Sequence, residues 1–179
     1  MQTFNHKLKT FVPILIIAVC TCYLLIKCIN ENINQEETFK KLKFKFLTSI
    51  LKSKSDKFDY QYDGLSPQES NFVDCKLKYL ILKSNGDLSD TENLVEFEND
   101  SISKIIFRKT IFEQNGNKAG RNWENIESDS VFVLDYKTNK KEIYKNKTLL
   151  KSLPMKDINE NTPYIYQVKK QTEKNYTCK

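Results

Sequence analysis

Histidine is almost missing from this chain, since His6, close to the amino terminus, is the only one among 179 residues. Imidazole is the commonest general base and the usual activator of a serine or cysteine nucleophile. Ser-His-Asp and Cys-His arrangements are therefore excluded from anything folded beyond that tail. Zinc sites lose their usual ligands for the same reason, and no Cys-x-x-Cys stands in for them. Glycine is scarce too, with 4 residues, and the chain has neither a phosphate-cradling Gly-rich loop nor a strand-turn-helix nucleophile elbow. No catalytic residue, metal or cofactor is expected from this inventory, and an enzyme is the less favoured class.

A basic domain is missing as well, although the formal net charge is +6. Residues 1–57 hold 10 Lys against 4 acidic residues, whereas residues 58–179 hold 19 basic against 19 acidic. A domain without net charge or a basic stripe is poorly suited to neutralise phosphates, the term that dominates nucleic-acid affinity. No nucleic-acid partner is expected. Internal repeats and low-complexity tracts are absent.

What is present begins with a charge-free run of 17 residues, Thr10 to Ile26, followed by Lys27, Cys28 and Ile29. As a helix this run rises about 26 Å, near the lower limit for crossing the hydrocarbon core, and Lys27 can snorkel to lengthen it. A cleaved signal peptide fits less well, because Tyr23, Leu24, Leu25 and Ile26 prolong the run and no Ala-x-Ala follows. A lipoprotein signal fits less well again, with Val19 before Cys20. The run reads as an uncleaved signal-anchor of a single-pass membrane protein. For its orientation, Lys7 and Lys9 favour a cytoplasmic tail, while Lys27, Lys40, Lys41, Lys43 and Lys45 weigh the other way under the positive-inside rule. The export-like first segment, separated from the later lysines by Glu31, Glu36 and Glu37, sets the expectation: amino terminus in the cytoplasm, domain outside it.

After the polar stretch Asn30 to Glu37, the segment Thr38 to Lys54 has Phe39, Leu42, Phe46, Leu47, Ile50 and Leu51 on one side of a 3.6-residue helix. Lys40, Lys41, Lys43 and Lys45 make the rest of this helix basic, the composition of a helix lying on an anionic membrane surface. The alternative is that the stripe docks on the following domain and the lysines are merely solvated.

Past Lys54 the pattern turns strand-like. Cys75 to Lys83 alternates Cys75, Leu77, Tyr79 and Ile81 against Lys76 and Lys78, as in a strand with one buried face. Leu94 to Glu98, Ile102 to Glu113, Val131 to Tyr136, Glu142 to Lys145 and Tyr164 to Lys170 are further strand candidates, rich in β-branched and aromatic residues. Ser84-Asn85-Gly86-Asp87, Asn115-Gly116-Asn117 and Lys137-Thr138-Asn139-Lys140 supply turns, and the short gaps imply antiparallel neighbours. Ser66-Pro67-Gln68-Glu69 has the form of a helix start. The expected fold is α+β and mainly antiparallel β, a small barrel or sandwich with one core, preceded by a transmembrane helix and an amphipathic helix. Its divisions are a basic tail at 1–9, an anchor at 10–29, linker and amphipathic helix at 30–57, and a β-rich domain at 58–179.

Cys20, Cys22 and Cys28 lie in or beside the anchor, which leaves Cys75 and Cys178 as a possible disulfide of an exported domain. The other reading is one buried thiol and one at a frayed end. The segment Gly116 to Asn125 presents Arg121 and the sole tryptophan, Trp123, the residue types most enriched at binding hot spots. A lone tryptophan also serves to plug a barrel end or cover a core edge, and that structural role is the favoured one here. Glu96 and Glu98 share one face of a strand, preceded by Asp87, Asp90 and Glu92, so carboxylate catalysis or a Ca²⁺ site is a formal alternative to a solvated face. Sequons occur at Asn99, Asn146 and Asn175.

These readings favour a membrane-anchored, non-enzymatic, extracytoplasmic binding module whose partners are membrane lipid and another protein or a small apolar ligand. A narrower form, by analogy alone, is an accessory or immunity-type protein that neutralises a toxin at the membrane. The contrasting class is a histidine-independent hydrolase or transferase, which requires a pocket converging on Glu96, Glu98 or Asp90 with raised carboxyl pKa values.

Overall fold

The computed structural model describes residues 35–64, 68–116, 120–145, 148–154 and 162–178. The expected anchor and basic tail lie outside them, as do residues 30–34 of the linker, Ser66, Pro67 and the sequon residue Asn146. Among the described residues no helix is long and apolar enough to cross a membrane.

Residues 35–52 form helix α1, and eight strands follow: β1 (Asp56–Phe58), β2 (Gln68–Val73), β3 (Lys76–Asn85), β4 (Ser89–Glu98), β5 (Ser101–Gln114), β6 (Arg121–Asp135), β7 (Lys140–Lys145) and β8 (Thr148–Pro154). Helix α2 (Thr162–Asn175) closes the chain. Every strand pairs antiparallel with its sequence neighbour, so the order in space is β1 through β8 in a single sheet. The antiparallel β-rich character is as expected; the barrel or sandwich is not. Within the described residues the strand order is linear and builds one sheet, and helices cover its faces where a sandwich would supply a second sheet.

That coverage follows from the side-chain alternation of strands. On one face Leu80, Leu82, Val95, Phe97, Ile105 and Leu134 pack with Ile165 and Val168 of α2. On the other, Tyr79, Ile81, Leu94, Ile106, Val131 and Val133 pack with Phe39 and Phe46 of α1. The single expected core is therefore two, one on each side of β3 to β6. The expectation of one buried face for β3 is overturned for the same reason. A strand covered on both sides buries consecutive residues, as Tyr79, Leu80, Ile81 and Leu82 do.

Two bulges adjust the faces. Asn71 pairs with Tyr79 and Phe72 with Leu77, so Lys78 is the extra residue and Leu77 joins the α2 side. Glu96 pairs with Lys104 and Phe97 with Ile102, leaving Ser103 extra. Ser103 is held there by donating to the Glu96 carbonyl (3.0 Å) and accepting from the Tyr136 amide (3.0 Å). The β2–β3 and β4–β5 connections are two-residue turns, Asp74-Cys75 and Asn99-Asp100, with all four residues at positive φ as a right-twisted hairpin requires.

Two elements differ from expectation in type. Tyr164 to Lys170 is helical, because the buried residues Ile165, Val168, Lys169 and Thr172 recur at i, i+3, i+4 and i+7. Pro163 in the first turn suits a helix start and not a strand interior. Conversely, Gln68 and Glu69 of the expected helix start belong to β2, where the Gln68 amide is drawn into the core. Its Nε2 donates to Ser70 Oγ (2.9 Å) and Thr172 Oγ1 (2.8 Å), joining β2 to α2.

Candidate functional site

Arg121 and Trp123 lie on β6 two residues apart, on one side of the strand, at the end of the sheet where β3 turns into β4. The Arg121 side chain is only 10% exposed. Its guanidinium donates to Asp90 Oδ1 (2.6 Å), to the Asp87 carbonyl (3.2 Å) and to the Gly86 carbonyl, and so latches the start of β6 onto the β3–β4 turn. The same group lies 5.0 Å from the Phe112 ring and 4.4 Å from the Trp123 ring. Phe112 and Trp123 are themselves in contact, centroids 5.6 Å apart. The geometry makes Arg121 a fixed platform, with each of its three guanidinium nitrogens donating to the β3–β4 turn or to Asp90.

Trp123 does not plug the sheet: it is 70% exposed, with Leu88 and Ile126 also exposed nearby. The expected structural role gives way because residues 121–125 of the segment read as a loop are strand, and the start of β6 extends past the helix-covered core. An indole held by a buried guanidinium and a neighbouring ring loses little conformational freedom on contact, the property that makes aromatic anchors effective at interfaces.

Beside this end a cavity of about 460 Å³ runs between the start of α1 and the sheet, lined by Glu36, Lys83, Asn85, Asp90, Thr91, Glu92, Arg108, Thr110, Phe112 and Ile126. Four of its charged groups, Glu36, Asp90, Glu92 and Arg108, are already paired. Arg108 donates twice to Asp129, at 3.0 and 2.8 Å, and Asp129 is 2% exposed. Burial alone would lower Arg108, but the Asp129 hydrogen bond and charge outweigh it and hold the guanidinium above its ordinary value. Lys43 reaches Glu92 at 2.6 Å across from α1. A second cavity, about 350 Å³, lies against α2 and is bounded by Leu82, Asn93, Phe107, Tyr164 and Ile165. The buried Oδ1 of Asn93 has no partner among the described residues.

No family model, no curated protein and no solved structure matches this chain. Geometry and chemistry therefore carry the functional reading.

The carboxylates singled out in the sequence do not converge. Asp90 pairs with Arg121, Glu92 with Lys43, Glu96 with Lys78 (3.8 Å) and Glu98 with Lys137. The hydrogen bond from Lys137 holds Glu98 below the usual carboxylate range, and that from Lys40 does the same for Glu36. Both shifts favour the ionised form, the opposite of a poised general acid. Among the described residues no three His, Cys, Asp or Glu side chains come together to hold a metal ion.

Cys75 and Cys178 are joined, their Cα atoms 5.4 Å apart. Cys75 sits in the β2–β3 turn at φ 64°, one residue before the strand it was expected to begin. The bridge fastens that turn to the chain just after α2, where Tyr176 stacks on Phe72 at 3.7 Å. Asn99 occupies an exposed tight turn and Asn175 ends α2.

The lysines of α1 separate into two groups. Lys43 turns inward to Glu92, whereas Lys40, Lys41 and Lys45 are exposed, with Lys40 paired to Glu36 at 2.5 Å. The apolar stripe is spent on the sheet: Phe39 and Phe46 are buried, with Leu42, Leu47 and Ile50 packed around them. Leu51, assigned to the stripe, is 80% exposed, and Phe44, outside it, is 72% exposed.

Proposed function

We propose that this chain is a single-pass membrane protein with a cytoplasmic basic tail. Its β-rich domain serves outside the cytoplasm as a non-enzymatic module that binds another protein. The observation that carries the reading is the Trp123 end of the sheet, a large exposed indole on a preformed Arg121–Phe112 platform, flanked by Leu88 and Ile126. This is the composition of an interface centre, an aromatic anchor and an arginine with smaller apolar neighbours. The charge-free run Thr10 to Ile26 supports the anchor, and the Cys75–Cys178 bridge supports an oxidising compartment. The paired carboxylates favour binding over catalysis.

Protease added to each side of native membranes, with alkylation of Cys75 and Cys178 read by peptide mapping before and after reduction, tests the compartment. Cleavage from the outer side with thiols that react only after reduction is expected; a protected domain with free thiols overturns the reading. For the binding surface, Trp123→Ala is expected to lower stability by only about 1 kcal/mol, the worth of the Arg121 and Phe112 ring contacts of an exposed indole, leaving the fold intact. Co-purification of the partner from those membranes is expected to fall at least tenfold. Unchanged co-purification would move the interface away from this end.

A further inference from the structure

We infer that the outward face of α1 is a docking surface for an anionic lipid bilayer, with Phe44 and Leu51 as the inserting side chains. The inference rests on the tether proposed above and adds the face, the residues and the lipid charge. It also reverses the simplest expectation for this helix, since the apolar stripe that would enter a membrane is covered by the sheet.

Positions 37, 40, 41, 44, 48 and 51 of α1 follow helical spacing along the side opposite Phe39 and Phe46. They carry Glu37, Lys40, Lys41, Phe44, Thr48 and Leu51, with Lys45 and Lys52 alongside. Phe44 and Leu51, at 72% and 80%, are the most exposed large apolar side chains described. They stand two turns apart on one line, about 10 Å along the axis. An aromatic and an aliphatic side chain projecting from a lysine field match the layers of a bilayer edge. The apolar tips reach the acyl boundary while the lysine stems lie flat and their ammonium groups meet phosphates.

Charge decides between lipid and protein as the occupant. The exposed apolar residues at the Trp123 end stand among Asp87, Glu113, Glu124 and Glu127, which an anionic surface repels. The outward face of α1 has the opposite balance. Chain length agrees, because only residues 30–34 separate Ile29, the last residue of the anchor, from the start of the described helix. Fully extended, that connection spans about 20 Å, so the bilayer surface lies within reach of α1. The sheet already holds α1 folded, and docking does not have to supply the ordering of the helix.

The test reconstitutes the full chain into phosphatidylcholine vesicles with or without phosphatidylglycerol, the acyl chains brominated to quench indole fluorescence. Native Trp123 reports from the end of the sheet, and a Trp123→Phe, Phe44→Trp variant reports from α1. At least twofold quenching at position 44 that requires phosphatidylglycerol and is relieved by salt, with Trp123 unquenched, is the expected result. In vesicle flotation of any uninserted chain, each lysine of the face changed to glutamine should lower binding about fivefold. An unquenched position 44 in a chain that resists carbonate extraction overturns the docking and leaves the tether standing. Quenching at Trp123 in place of position 44 overturns it too, by assigning the lipid contact to the wrong end. A carbonate-extractable chain that still floats with anionic vesicles, and loses this with Phe44→Ser and Leu51→Ser, supports the docking and sinks the tether.

Discussion

At the scale of single residues, the side chains that decide most are polar ones in apolar places. Gln68 is buried, and its amide is satisfied by Ser70, Thr172 and the Tyr62 N–H, which donates to Oε1 at 3.3 Å. Thr172→Val keeps the shape but removes an acceptor from Nε2, leaving a buried donor short of a partner. Chemical denaturation should show a loss of about 1–3 kcal/mol. Replacing both residues, Gln68→Leu with Thr172→Val, should cost less than the two single losses added together. A second residue-scale prediction concerns alkali. Burial, reinforced by donation to Glu142 Oε2 at 2.6 Å, pushes the Tyr144 phenol up to about 12. A pKa raised on folding contributes stability that is complete below the unfolded value near 10 and is lost as pH climbs through the folded value. Unfolding free energy should therefore be flat with respect to Tyr144 below about pH 10 and decline between about 10 and 12. Tyr144→Phe should make that decline shallower while weakening the fold slightly at neutral pH. An identical slope in both proteins would mean that the Tyr144 hydroxyl is already solvated.

At the scale of elements, one sheet is shared by two helices that do not touch the same side of it. Ile106 faces α1 and Ile165 of α2 lies in the opposite cluster, both nearly fully buried. Ile106→Val and Ile165→Val should each cost about 0.5–1.5 kcal/mol. Combined, they should add within about 0.5 kcal/mol, because no shared neighbour couples them across the sheet. A larger departure would show strain passing through β5. The same two-sidedness explains what the sequence made legible. Ile102 to Glu113 could be read as a strand because β-branched residues cluster there, and the turn at Asn85-Gly86-Asp87 because Asn, Gly and Asp are turn-forming residue types. Tyr164 to Lys170 misled because its aromatic and β-branched content outweighed a 3.6-residue period that becomes plain only when Thr172 and Lys169 are counted as buried. Lys169 has no apolar character to announce this. It is buried by Glu173 at 2.6 Å and by the Phe97 ring, partners that come from packing and not from pattern.

At the scale of the whole molecule, the question is what keeps a linear sheet with two separate apolar layers from fraying at its first strands. β1 is three residues long and β2 six, and the layer over them depends on α2, which arrives from the far end of the chain. Cys75–Cys178, with a sequence separation of 103, removes that dependence on distance, and the Phe72–Tyr176 stack lies beside it. The pairing was legible as a possibility once the expected anchor had set aside Cys20, Cys22 and Cys28. Its position in a turn, with Cys75 at positive φ, was not, because the register of β2 on β3 is set by the bulge at Lys78. In the chain-entropy view, a loop of this length stabilises by restricting the unfolded ensemble, and loss of a native bridge costs about 2–5 kcal/mol. Reductant should lower the unfolding free energy by that amount. The Cys75→Ala, Cys178→Ala double variant should reproduce the loss and respond no further to reductant, and hydrogen exchange should quicken first in β1, β2 and the last turn of α2. Faster exchange confined to α1 instead would mean that the bridge and the α2 layer are not what protects this edge.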